Sequence, residues 1–126
     1  MYNIRNITLK DIGGLKEVSE KEGFLFPKVS PKFIGVYLNN ELIGFGGVRL
    51  KKTRAIIKCD YVVKEHRKKG VAQYMHTRRL EMLKTMGFQY IEANATPMAL
   101  RLHLNNGAKI VKEYKNGITK VAYENK

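Results

Sequence analysis

One passage constrains the fold more than any other. An apolar strand-like run, Ala55 to Val63, is followed by a basic glycine loop, Arg67-Lys68-Lys69-Gly70-Val71-Ala72. A long helical pattern, Gly70 to Met86, and a second strand, Tyr90 to Ala95, come next. A strand, helix, strand passage calls for a parallel pair joined by a right-handed crossover. Within the helix, Val71, Tyr74, Met75, Leu80, Leu83 and Met86 give an apolar face. Arg78, Arg79, Glu81 and Lys84 read as polar positions, and Gly87 suits the helix end. A helix start carries unpaired N–H groups and a partial positive charge. Here a glycine lets a ligand approach the backbone, and three cations precede it, so the loop suits a phosphate or pyrophosphate. A basic helix start with a glycine turn and no ligand is the competing reading.

Tyr2 to Asn6 reads as a short strand. Thr8 and Asp11 form a weak capping box for a helix carrying Ile12, Leu15 and Val18, weakened by Gly13-Gly14 and ended by Gly23. Phe24 to Lys32 holds Pro27 and Pro31 and reads as a loop. Phe33 to Leu38 and Leu42 to Leu50 form a hairpin across Asn39-Asn40. Gly44, Gly46 and Gly47 in its second strand predict a bulge or a close approach. Thr96 and Pro97 open a helix that runs to Asn105. Lys109 to Tyr114 and Thr119 to Glu124 form a last hairpin across Asn116-Gly117. The order β-α-β-β-β-α-β-α-β-β predicts an α/β chain: a mixed central β-sheet with helices on both faces, in one domain over residues 1–126.

Apolar residues make up 44% of the chain, enough for a core, and no run approaches the ~20 residues that span a bilayer. Met1 to Lys10 does not read as a secretory signal. The one cysteine, Cys59, offers no internal disulfide, and no metal-ligand cluster is visible. The expectation is a cytoplasmic protein without a metal and without a membrane partner. Net charge is +13, densest between Lys51 and Arg79, and favours anionic partners such as a nucleotide cofactor, a nucleic acid or an acidic substrate.

The loop fits the pattern Gln/Arg-x-x-Gly-x-Gly/Ala and closely resembles the acetyl-CoA-binding segment of the GNAT superfamily of N-acyltransferases. Ala99-Leu100-Arg101-Leu102-His103-Leu104-Asn105-Asn106-Gly107-Ala108 is similar to that family's helix-to-strand segment, Ala-x-x-Leu-Tyr-x-x-x-Gly-Phe. The order of elements agrees along nearly the whole chain. The resemblance implies the GNAT acyl-CoA N-acyltransferase fold. It also implies transfer of an acetyl group from acetyl-CoA, as co-substrate, to a primary amine by direct attack.

That chemistry needs a group to take the amine proton, a donor for the thioester oxygen and a holder for the pyrophosphate. By the resemblance, backbone N–H groups of Lys68, Lys69, Gly70, Val71 and Ala72 hold the pyrophosphate, with Arg67 shaping the loop. The backbone at Val62 and Val63 pairs with the pantetheine arm; an ordinary core strand is the alternative. Glu92 and Asp60 are rival catalytic bases, and a solvent-facing strand glutamate is the plainer reading of Glu92. His103 stands where the family usually has a tyrosine that protonates or orients the coenzyme sulfur. Histidine can do acid or base work, or sit on the helix without a task.

The short Gly23 to Lys32 segment implies an open acceptor groove, because the second helix of many relatives is absent or reduced to a turn. Such a groove, with the surplus charge, suits a bulky or anionic acceptor: a nucleic acid or a nucleic-acid-associated protein. The alternative function is a catalytically weakened GNAT-fold module that binds nucleic acid or a protein partner through its basic surface. A monomer and a homodimer both remain open.

Overall fold

The computed structural model describes residues 1–124. The chain runs through β1 (Tyr2–Ile7), α1 (Leu9–Ile12), α2 (Gly14–Lys21), β2 (Lys32–Leu38), β3 (Glu41–Leu50) and β4 (Arg54–Val62). It continues through α3 (Val71–Thr85), β5 (Tyr90–Ala95), α4 (Pro97–Asn105), β6 (Lys109–Glu113) and β7 (Thr119–Glu124). The strands form a seven-stranded sheet in the order β1-β2-β3-β4-β5-β7-β6. β4 and β5 pair in parallel, and the other neighbours pair antiparallel, so the sheet is mixed as expected.

Side chains alternate along the strands, and each face of the sheet takes its own helices. Ile12, Leu15 and Phe24 pack with Phe33, Phe45 and Tyr61 on the α1–α2 face. Val71 and Met75 of α3 meet Ile34, Val36 and Ile43 on the other face. There Leu80 and Leu83 also join Ala55, Ile57, Ile91, Ala93, Val121 and Tyr123, with Leu100 of α4 against them.

Two local predictions are corrected. The helix expected from Thr8 to Gly23 is two helices, broken at Gly13, whose φ is +52°. The capping box at Thr8 and Asp11 forms, but it serves the single turn α1. Arg79, read as a polar-face residue, is 1% exposed. It lies on the Met75–Arg79–Leu83 line, spaced by four along α3, and therefore points at the sheet. The glycine-rich stretch of β3 behaves as predicted. The β2–β3 register shifts at Val36/Tyr37, where β3 carries the extra residue.

A second bulge decides where the site is. Gly47 pairs with Lys58 and Phe45 with Tyr61, so β4 holds one more residue than β3 there. Cys59, inside that bulge, has φ +64°, a left-handed conformation uncommon for a side chain larger than glycine. The parallel ladder between β4 and β5 stops just before it, at Ile57 opposite Ala93. Beyond that pair the two strands diverge and leave a cleft.

Candidate active site

The cleft measures about 440 Å³ and is bordered by Cys59 and Asp60 of β4, Ala93 to Ala95 of β5, and Ala99 and His103 of α4. Phe24 and Leu25, from the segment after α2, close its side. The basic loop stands where β4 runs on into α3. Val63 donates its N–H to Ile43 O at 2.9 Å. By alternation, the N–H and C=O of Val62 turn toward β5, and the C=O accepts from Arg67 Nε at 2.8 Å. Of the two predicted pantetheine-pairing residues, Val62 thus faces the cleft side, while the Val63 amide is committed to β3.

After a 3-10 turn, Lys64–His66, the chain enters a left-handed conformation at Lys68 (φ +62°) and again at Gly70 (φ +86°), the N-cap of α3. Among the described residues, the N–H groups of Lys68, Lys69, Gly70, Val71, Ala72 and Gln73 donate to no protein acceptor. No side-chain cap closes this helix start, and a Cβ at Gly70 would meet nothing within 4 Å. A row of free amides at the positive end of a helix, open to solvent, can accept an anion with several oxygens.

Arg67 fixes the loop's shape. Besides the Val62 carbonyl, it binds Glu22 at the end of α2, Nη2 to Oε1 at 2.6 Å. Glu22 also accepts a hydrogen bond from Tyr61. The Tyr61 and Arg67 bonds hold the Glu22 carboxyl below its ordinary range, and burial, then the Glu22 bond, pushes Tyr61 up to about 12. Glu22 escaped the sequence reading because nothing local links it to the loop, 45 residues away.

The three predicted catalytic residues fall in different surroundings. Asp60 gives both carboxylate oxygens to Arg79, at 2.6 and 2.8 Å, and so holds a buried guanidinium. Glu92 points from β5 into a hollow of about 200 Å³, with Arg54 at 3.4 Å and Lys120 at 3.8 Å. Ala93 and Asn94 border both that hollow and the cleft. His103 is 4% exposed, on the cleft wall.

His103 also ends a buried polar chain. Arg79 Nη2 reaches His76 Nδ1 at 3.1 Å, His76 Nε2 lies 2.7 Å from Tyr123 Oη, and Tyr123 Oη lies 2.8 Å from His103 Nδ1. Burial, then the neighbouring Arg79 and His103, lowers the His76 pKa to about 3. Burial lowers that of His103 as well, and it raises the Tyr123 phenol. His76, Arg79 and Tyr123 were not foreseen as site residues. The four-residue line through Met75, Arg79 and Leu83 was the available signal for Arg79.

Among the described residues, no three His, Cys, Asp or Glu side chains are grouped to hold a metal ion. No helix there is long and apolar enough to cross a membrane.

Known structures share this architecture. A ribosomal-protein-S18-alanine N-acetyltransferase from Escherichia coli superposes with a TM-score of 0.79 at 10% identity, covering 99% of this chain and 94% of that one. The PaiA N-acetyltransferase from Thermoplasma acidophilum, solved with coenzyme A, gives 0.78 at 13% identity, covering 98% and 99%. A GNAT-family acetyltransferase from Staphylococcus aureus gives 0.75 at 14% identity, covering both chains fully at 100%. No curated protein matches the chain. Residues 1–107, from β1 through the amide-rich helix start to the end of α4, match the acetyltransferase (GNAT) family, and the chain belongs to that family.

Proposed function

We propose that this protein transfers an acetyl group from acetyl-CoA to a primary amine by direct attack of the amine on the thioester. The free amides at the start of α3 carry this reading, because they form a ready site for the coenzyme's pyrophosphate. Lys68, Lys69, Gly70, Val71 and Ala72 would supply those N–H groups, and Arg67 holds the loop that presents them. The outward amide of Val62 suits the pantetheine arm. The divergence of β4 and β5 leaves room for the acyl group beside His103.

In the transfer, the amine nitrogen bonds to the carbonyl carbon, the C–S bond breaks and sulfur takes the electron pair. The amine's proton must go to a base. Both Asp60 oxygens already hold Arg79, whereas the Arg54 and Lys120 contacts of Glu92 both fall on Oε2, so Glu92, in the neighbouring hollow, is the better-placed carboxylate, acting directly or through a water. The acceptor is assigned to the anionic or bulky class on the net charge of +13 and the exposed Lys64, Lys68 and Lys69 at the loop.

Calorimetry with acetyl-CoA, followed by mass spectrometry of candidate amines, tests the reading. Binding in the micromolar range that is lost in Gly70→Glu is expected, with a gain of one acetyl group on the acceptor. Glu92→Gln should slow turnover and leave coenzyme affinity unchanged. Absence of acetyl-CoA binding, with salt-sensitive DNA binding in its place, would identify the protein as a basic binding module instead.

A further inference from the structure

We propose that His103 serves the reaction as a neutral hydrogen-bond donor, presenting Nε2–H to the cleft, with its tautomer fixed by the buried chain Asp60–Arg79–His76–Tyr123. The inference rests on the acetyltransferase reading for its function, but not for its chemistry.

The assignment follows from counting protons along the chain. A guanidinium has only donors, so His76 Nδ1, 3.1 Å from Arg79 Nη2, must be a bare acceptor. His76 is buried beside that cation and stays neutral, so its one ring proton sits on Nε2 and is donated to Tyr123 Oη at 2.7 Å. Tyr123 keeps its own proton and has two acceptors in reach: His103 Nδ1 at 2.8 Å and the His103 carbonyl at 3.3 Å. We assign the single Tyr123 proton to the shorter contact, which fills Nδ1 and leaves the His103 proton on Nε2; donation to the carbonyl instead would place that proton on Nδ1, the outcome the tautomer measurement below separates. Nε2 bonds no protein atom among the described residues, yet it is not sealed from solvent. His103 lines the cleft, so Nε2–H opens there. Asp60 anchors the far end by holding Arg79 with both oxygens.

A neutral imidazole is far too weak an acid to surrender its N–H proton to a thiolate. It can instead give a charge-assisted hydrogen bond to the anion that forms as the C–S bond breaks. No proton leaves His103, and the amine's proton goes to the base. This differs from a phenol that protonates the sulfur. The donor is present at every pH at which the imidazole is neutral and needs no prior protonation. Arg79, His76, Tyr123 and Asp60 are positioning residues; of these five hydrogen-bonded side chains, His103 alone would touch the coenzyme.

Long-range ¹H–¹⁵N NMR of the uniformly labelled full chain reads tautomers directly. His76 and His103 should both appear neutral and protonated on Nε2 in the neutral to mildly alkaline range. Tyr123→Phe should leave the His76 pattern intact and let His103 mix tautomers. It should also lower kcat by about 10-fold while KM for acetyl-CoA stays within about 2-fold. If Tyr123→Phe does not fold, the wild-type spectrum still decides the tautomer, and His76→Asn breaks the chain one bond earlier for the kinetic arm. A wild-type His103 protonated on Nδ1, or charged in that range, overturns the proposal. So does a scrambled tautomer with unchanged kcat. A wrong tautomer with intact acetyl-CoA binding sinks only this proposal. Loss of wild-type binding sinks the acetyltransferase reading and, with it, the role of His103.

Discussion

A guanidinium buried as deeply as that of Arg79 needs a carboxylate, and Asp60 supplies both oxygens. The pair exists because β3 has no side chain at Gly46: a Cβ there would stand 2.5 Å from Arg79 Nη1 and 2.9 Å from Asp60 Oδ1. Gly46→Ala should therefore push the ion pair apart and strand a charge in the core, costing about 3 kcal/mol or more. Urea unfolding of the variant measures this, and a midpoint equal to wild type would show that the pair shifts without strain. The sequence marked Gly46 as a place of close approach but could not say what approaches it. That partner lies on α3, far along the chain, and only the packed helix brings it there.

At the scale of elements, the loop before α3 was the most legible part of the site. Its cations, its glycine and the helix after it are adjacent in sequence, so the free amides follow from local rules. The clamp on that loop was not legible, because Glu22 reaches Arg67 only once α2 lies over the end of β4. Arg67→Ala should release the Val62 carbonyl and the Glu22 contact together and weaken acetyl-CoA binding by ~10-fold. Calorimetry would show this as a loss of affinity with a larger entropic penalty; an unchanged Kd would mean that the loop holds its shape without the clamp. α3 and α4 are tied near the same place by a reciprocal amide pair, Gln73 to Asn106 at 2.8 and 3.0 Å. The succession of elements along the chain and both hairpins followed from turn residues and alternation; that β7 rather than β6 lies against β5 did not. The break at Gly13 did not, since a glycine pair in a helical stripe can weaken a helix or end it.

Across the whole molecule, two buried imidazoles couple stability to acid. Near neutral pH, His76 is uncharged in the folded and the unfolded chain and contributes no pH dependence. Below about pH 6.5 the unfolded chain takes up a proton that the folded chain refuses until about pH 3. The unfolded state then binds more protons, so stability falls with falling pH, by up to about 1.4 kcal/mol per pH unit from this group. His103, lowered by burial in the same direction, adds to the loss. Denaturant midpoints at pH 7 and pH 5 should show the decline, and His76→Phe should flatten it; equal slopes in the two proteins would remove His76 as the source.

Among the described residues, the divergence of β4 from β5 leaves four residue pairs, Arg54–Ile57 against Tyr90–Ala93, as the only ladder joining the first four strands to the last three. The sheet is therefore stitched along half a seam, with the core beneath α3 carried across it. Any guest lying along the gap would act as a suture, stiffening both sides at once.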